Sequence, residues 1–108
     1  MPRRIPDALM PHRATITPWR GEGATGPLYD ATREPVRAQF DGAGTASGRV
    51  VSVGGQDLAI VGRVYLDPTD LPMLSKVRSS VDGAELLVAG IRTFDGGGLR
   101  YLVVTLGQ

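Results

Sequence analysis

The segment of this chain best suited to reach a partner is the glycine-punctuated run from Asp41 to Asp57. A Gly-Gly pair, Gly54-Gly55, separates two runs of β-forming residues there. Such a pair predicts a hairpin, because tight hairpin turns need positive φ and glycine adopts it without steric cost. The first limb, residues 49–53, offers only three valines to a core. A short arm of this kind is better suited to contact a partner, a ligand or a channel than to build a core.

The residue types that usually carry catalysis are scattered. The single histidine, His12, begins a predicted strand, and the chain has no cysteine, so a metal site would need oxygen ligands alone. The run Gly96–Gly98 is not a phosphate loop, because no helix start and no Lys-Ser/Thr follows it. Four aspartates flank proline or glycine, where they serve turns: Asp67, Asp70, Asp82 and Asp95. We predict no enzymatic activity, no metal and no cofactor.

The composition predicts one small β domain. The chain has 108 residues, of which 42% are apolar and 21% charged, and these fractions are ordinary for a globular protein. Fifteen glycines and eight prolines favour many short strands joined by turns. The net charge of +1 provides no electrostatic footprint for free duplex DNA or an anionic membrane. No secretory signal or membrane-spanning run is present, so we expect a soluble protein made in the cytoplasm.

Period-two patterns and turn residues place the strands. A proline-marked bend follows the first strand, and residues 21–27 form a loop. Gly62 indicates a bulge or a close backbone approach, and residues 67–72 form a turn. The Asp82-Gly83 pair predicts a hairpin turn. The predicted strands are residues 12–17, 35–40, 49–53, 56–66, 76–81, 85–94 and 99–106. This all-β pattern of six or seven antiparallel strands is typical of a small barrel or sandwich.

The aromatic residues leave open the interpretation that this chain binds nucleic acid. Trp19, Tyr29, Tyr65 and Tyr101 would stack bases in a small barrel, although a core also needs them. This reading makes the chain a monomeric nucleic-acid-binding barrel. Affinity for single strands that falls steeply with salt would favour it.

The order of these elements resembles that of the head-to-tail stopper (head-closure) proteins of long-tailed bacteriophages, especially short versions from phages of high-GC actinobacteria. The resemblance covers nearly the whole chain from residue 11 onward. Two departures are Ala38, where relatives often carry Cys, and a glycine-poor stretch at 70–75. The matching segments are residues 11–16, 26–29, 36–40, Arg49, Gly54-Gly55, 64–68, 81–83 and 95–99.

The resemblance implies a small antiparallel β-barrel at residues 11–108, with the excursion 41–57 projecting from it and an N-terminal arm at residues 1–10. It also implies assembly into a ring, a dodecamer or hexamer, in the neck of the virion after assembly in the host cytoplasm. The head-tail adaptor and portal would lie above the ring, the tail terminator or tail tube below it, and genomic double-stranded DNA in its channel. The ring would close the DNA-filled head and provide the tail attachment surface.

The resemblance also implies which residues contact what. The loop facing the channel and DNA would carry Gly42, Gly44, Gly48, Arg49, Gly54, Gly55 and Gln56. Arg49 would meet DNA phosphate or an acidic neighbour, and the glycines would let the arm move. Arg3 and Arg4 would contact a neighbouring ring. A tail-terminator or minor tail protein is a second structural reading, whereas a largely helical head-tail adaptor fits this sequence poorly.

Overall fold

The fold is almost entirely β. A computed structural model describes residues 5–41 and 49–108, with strands over 63% of these residues and no α-helix among them. One 3-10 turn, Asp7–Leu9, precedes the first strand. The strands are β1 His12–Thr17, β2 Trp19–Gly23, β3 Gly26–Tyr29, β4 Val36–Asp41, β5 Val50–Val53, β6 Gln56–Leu66, β7 Lys76–Ser79, β8 Glu85–Gly96 and β9 Leu99–Gly107.

Six strands close into a ring. The order is β4-β1-β7-β8-β9-β6, and β6 pairs back with β4, so that Ala38 lies opposite Leu66 and Phe40 opposite Val64. Every pairing is antiparallel. Closure leaves few exposed edges, which is the usual advantage of a barrel. The predicted all-β antiparallel fold is therefore confirmed, and β5 extends the ring to the seven strands of one sheet.

The barrel interior is filled from all six strands of the ring. In β9 the even-numbered residues Leu102, Val104 and Leu106 are buried while the odd-numbered ones between them are partly exposed, as the alternation predicts. The buried cluster is Ala14, Ile16, Ala38, Val64, Leu66, Leu71, Val77, Val88, Leu102, Val104 and Leu106. These small and branched side chains fit a narrow barrel.

A second hydrophobic cluster holds the β5–β6 hairpin. Leu58, Ile60, Leu74 and Ala89 are buried in it, and partly buried side chains from β2, β5 and β8 pack against them. Val51 and Val53 belong to this set, so the first limb of the hairpin contributes to a core, contrary to the expectation from its sequence. The reason is that buried residues of the barrel cover these two valines, and the sequence of the limb alone does not indicate that surface.

Two β-bulges make this second cluster possible. The β6–β9 register shifts between Ile60 and Gly62, which confirms the bulge predicted at Gly62. The β8–β9 register shifts between Val88 and Gly90. The extra residue reorients neighbouring side chains, so Val88 joins the barrel core while Ala89 joins the second cluster.

Two turn predictions differ from the structure. The loop predicted at residues 21–27 is a small hairpin of β2 and β3. The backbone N–H of Trp19 donates to Ser75 Oγ at 3.0 Å and the Trp19 ring packs on the second cluster, and both contacts stabilise the hairpin. The strand predicted at 76–81 ends at Ser79. Asp82 and Gly83 therefore lie in a longer connection, where the Asp82 carboxylate accepts the Ala84 N–H at 2.9 Å.

Candidate functional site

The excursion is rooted at two points on one strand of the barrel. Asp41, at the end of β4, pairs with Arg63 of β6, and the Ile60 N–H donates to the Arg49 carbonyl at 2.9 Å. Residues 60 and 63 are about 10 Å apart along a strand. Asp41 and Arg49 therefore both lie against one edge of β6, beside the rigid ring.

Several predicted site residues lie outside the described ranges. They are Arg3, Arg4, Gly42, Gly44 and Gly48. Arg49 is described and exposed, and directly precedes β5. Gln56 begins β6 opposite Val53.

Gly54 and Gly55 form the hairpin turn that the sequence predicts. Their φ values are 56° and 82°, which fit a type I′ turn. A Cβ at Gly54 would lie 3.1 Å from Leu74 Cδ1, so this position also needs glycine for space. The tip of the hairpin thus packs on the second cluster together with Val51 and Val53, whereas Val50 is exposed.

The stems of the excursion border the open end of the barrel. A half-open cavity of about 410 Å³ lies where β4, β7 and β9 end and where β1 and β8 begin. Its lining includes apolar residues together with one arginine and one aspartate. The residues that define it are Phe40, Val61, Arg63, Val81, Asp82 and Leu86. The sequence did not indicate this cavity, because its wall comes from six separate strands and the β7–β8 connection.

His12 has a structural contact at this end of the barrel. The Phe40 N–H donates to His12 Nδ1 at 3.0 Å, and the two rings lie 6.0 Å apart. The imidazole therefore links the start of β1 to the end of β4.

Arg37 is the centre of an ion-pair network that sequence reasoning missed. Its guanidinium donates to both Asp67 carboxylate oxygens, at 2.7 and 2.8 Å, and to Asp7 Oδ1 at 2.5 Å. The hydrogen bonds that Arg37 donates to Asp67, with a smaller contribution from the bond to Asp7, raise the pKa of Arg37 above its ordinary value. The bidentate pair joins β4 to the end of β6, and Asp7 ties residues 7–9 to the barrel.

Tyr29 and Lys76 pack together beside the second cluster. The Lys76 ammonium lies 4.4 Å from the centre of the Tyr29 ring, and the Tyr29 hydroxyl donates to the Leu74 carbonyl at 3.3 Å. Burial, and then the negative charges of Glu85 and Glu22, raise the pKa of Tyr29. Trp19 and Tyr29 therefore serve packing in this hairpin.

Three other aromatic side chains form a row on the outer surface of the barrel. Phe94 stacks on Tyr101 with 4.7 Å between ring centres, and Tyr101 meets Tyr65 edge-on at 6.2 Å. Arg63 and Arg92 share this surface, since each is two residues from one of these aromatics on its strand. We call these five residues the outer aromatic face. A two-residue turn at Gly97-Gly98 would have predicted the Phe94–Tyr101 pairing from sequence.

The described residues hold neither a metal site nor a membrane-spanning helix. In residues 5–41 and 49–108, no three side chains among His, Asp and Glu come together as a metal site requires. No helix in the same ranges is long and apolar enough to cross a membrane.

No family model, curated protein or solved structure matches this chain.

Proposed function

We propose that this chain is a structural neck protein of a bacteriophage-type virion. Its copies form a ring between the portal and adaptor on one side and the tail on the other. The ring closes the DNA-filled head and provides the tail attachment surface. The observation that carries the proposal is a closed barrel that presents the excursion from two fixed stems at its open end.

The scaffold supports this role mechanically. Functional loops are usually held by a rigid framework, and here the stems at Asp41 and Arg49 are both bonded to β6, which pairs with β4, β5 and β9. The rest of the hairpin is fixed on the second cluster. The excursion is then the part of the chain that we propose faces a channel in the ring.

The low net charge of the chain is consistent with weak binding of DNA in the channel. The net charge is +1, so a ring of copies would hold duplex DNA by a few loop contacts and still release it during ejection. Arg49 supplies such a contact from within the excursion. Phosphate contact positions DNA without reading its sequence, as a channel for any genome end requires.

The copy number of this chain tests the proposal. In purified DNA-filled particles, quantitative mass spectrometry should give a fixed ratio of this chain to portal protein, equal to that of one ring. Absence from the particles would refute the neck function.

Arg49 provides a second test with a matched control. In particles carrying Arg49→Ala we expect normal incorporation of the ring but leakage of packaged DNA during storage. Arg20→Ala, at an exposed arginine on β2 that pairs with Asp30 at 2.9 Å, should leave DNA retention unchanged. Equal retention in both variants would remove Arg49 from the proposed channel.

The outer aromatic face favours a second candidate, a monomeric barrel that binds single-stranded nucleic acid. Aromatic rings beside arginines are the usual platform for stacked bases and backbone phosphates. Fluorescence anisotropy with a labelled oligonucleotide would detect such binding, and its affinity should fall steeply with salt. Absence of binding would rule this candidate out, and binding that is unchanged in a Phe94→Ala, Tyr101→Ala double variant would show that the outer aromatic face is not the site.

A further inference from the structure

The outer half of β8 is a free strand edge. β8 pairs with β7 only through residues 85–87, and the backbone of Val88 bonds to the segment before β7. Beyond that point, from Arg92 to Gly96, β8 pairs with β9 alone. Closed barrels normally avoid such edges, so this one requires an explanation.

The register shows which backbone groups face outward. Gly96 and Leu99 flank the two-residue turn, so they form a hydrogen-bonded pair, and the alternation of an antiparallel ladder makes Phe94–Tyr101 and Arg92–Val103 hydrogen-bonded too. The N–H and C=O groups of Ile91, Thr93 and Asp95 therefore point away from β9. None of these backbone groups has a partner among the described residues.

The side chains along this edge are complementary to themselves. Arg92 is exposed and forms no ion pair with a described carboxylate, and Phe94 is 45% exposed. Both belong to the outer aromatic face, two positions apart. The edge carries no lysine or proline, the residues that commonly block strand addition.

We propose that this edge binds the same edge of a second copy of the chain. Only the odd-numbered residues direct their backbone N–H and C=O groups away from β9, so an antiparallel pairing of two copies must place odd-numbered residues opposite odd-numbered ones. With Thr93 opposite Thr93 of the second copy, each Arg92 lies opposite Phe94 of the other copy in a non-hydrogen-bonded pair, where side chains are closest. Two cation–π contacts form, and the two-fold axis closes the assembly as a dimer.

The dimer joins the two outer aromatic faces into one surface. In each copy the row continues from Phe94 through Tyr101 to Tyr65. This inference does not rest on the proposed neck function, since a two-fold contact concerns the chain before it enters any ring. Failure of either proposal leaves the other intact.

Sedimentation equilibrium of the purified full chain tests the dimer. We expect dimerisation with a dissociation constant on the order of 0.1 mM, because a single strand edge makes a small interface. Thr93→Pro removes the central outward N–H while leaving the β8–β9 ladder intact, and should give a monomer. Thr93→Val keeps the backbone donor and should still dimerise. Circular dichroism establishes that both variants fold.

Arg92→Ala tests the side-chain complementarity without touching the backbone. It removes two cation–π contacts per dimer and should weaken dimerisation about tenfold. Arg20→Ala, at a distant exposed arginine, should leave it unchanged. A chain that stays monomeric up to about 1 mM would overturn the proposal.

Nuclear magnetic resonance identifies the edge directly. In the monomer, the amides of Arg92 and Phe94 should be protected from hydrogen exchange and that of Thr93 should not, whereas raising the concentration should protect Thr93. A contact between the Hα atoms of Arg92 in one copy and Phe94 in the other would establish the register. Dimers that leave Thr93 unprotected, or oligonucleotides that perturb the edge while the chain stays monomeric, would overturn it.

Discussion

Leu74 provides the sharpest test of how the second cluster is built. It is the one non-glycine residue with positive φ in the described ranges, at 66°. Its side chain is 2% exposed, its N–H donates to the Val88 carbonyl at 2.9 Å, and its carbonyl accepts the Tyr29 hydroxyl. The left-handed conformation costs an ordinary residue about 1–2 kcal/mol, and burial of the leucine offsets this.

The prediction compares alanine with glycine at Leu74 and at Leu58, a buried leucine of the same cluster without positive φ. Replacing either leucine by alanine should cost roughly 2–5 kcal/mol. At Leu58, glycine should then be worse than alanine by roughly 1.5 kcal/mol, since it loses a methyl group and gains unfolded-state entropy. At Leu74, relief of the backbone strain should cancel this further loss.

Thermal unfolding followed by circular dichroism measures the difference. For a domain of this size 1 kcal/mol corresponds to about 4–8 °C, so the two Leu58 variants should differ in Tm by roughly 10 °C while the two Leu74 variants nearly coincide. Urea denaturation should give the same order. A Leu74→Gly variant that falls below Leu74→Ala by as much as the Leu58 pair differs would show that position 74 carries no backbone strain.

Three further predictions concern the barrel and its neighbours. A Cβ at Gly107 would lie 2.9 Å from a leucine Cβ on β6, so Gly107→Ala should lower the free energy of unfolding by roughly 1–3 kcal/mol in urea denaturation. Gly90→Ala, where the nearest contact of a Cβ is at 3.6 Å, should be neutral or slightly stabilising. Equal effects of the two substitutions would contradict this packing. Because the pKa of Tyr29 is raised in the folded state, its contribution to stability is present below about pH 10 and is lost as pH rises through the raised pKa. Tyr29→Phe should therefore flatten the fall of the unfolding free energy at alkaline pH. An unchanged pH profile would refute this. Asp67→Asn should lower Tm more than Asp7→Asn, because the Asp67 carboxylate is 20% exposed and that of Asp7 is 91% exposed; the reverse order would show that the ion pair to residues 7–9 is the stronger.

Local patterns predicted the strands because the relevant physics is local. The alternation in β9 and the positive φ required at Gly54-Gly55 both follow from a few neighbouring residues. The pairing of β1 with β7 joins Ala14 to Ser79, and nothing in either strand specifies the other. Register and closure therefore depend on the whole chain.

The candidate site was predicted unevenly for the same reason. The position of Arg49 beside β5 follows from the hairpin turn, which sequence indicates. The docking of Val51 and Val53 could not be predicted, since their alternation is the same in a solvated arm and in a packed one. The Arg37–Asp67 pair joins residues 30 positions apart, and neither has a local signal for its partner.

The position of β1 has a consequence for mechanical load. β1 lies between β4 and β7 and is hydrogen-bonded along both edges. A force applied to the N-terminal segment along the direction of β1 would pull across both ladders at once, because their hydrogen bonds run perpendicular to the strand. These bonds must then break together in shear, unlike those of a terminal hairpin, which open one by one. Tension transmitted through residues 5–10 would therefore meet one of the most force-resistant elements of the barrel.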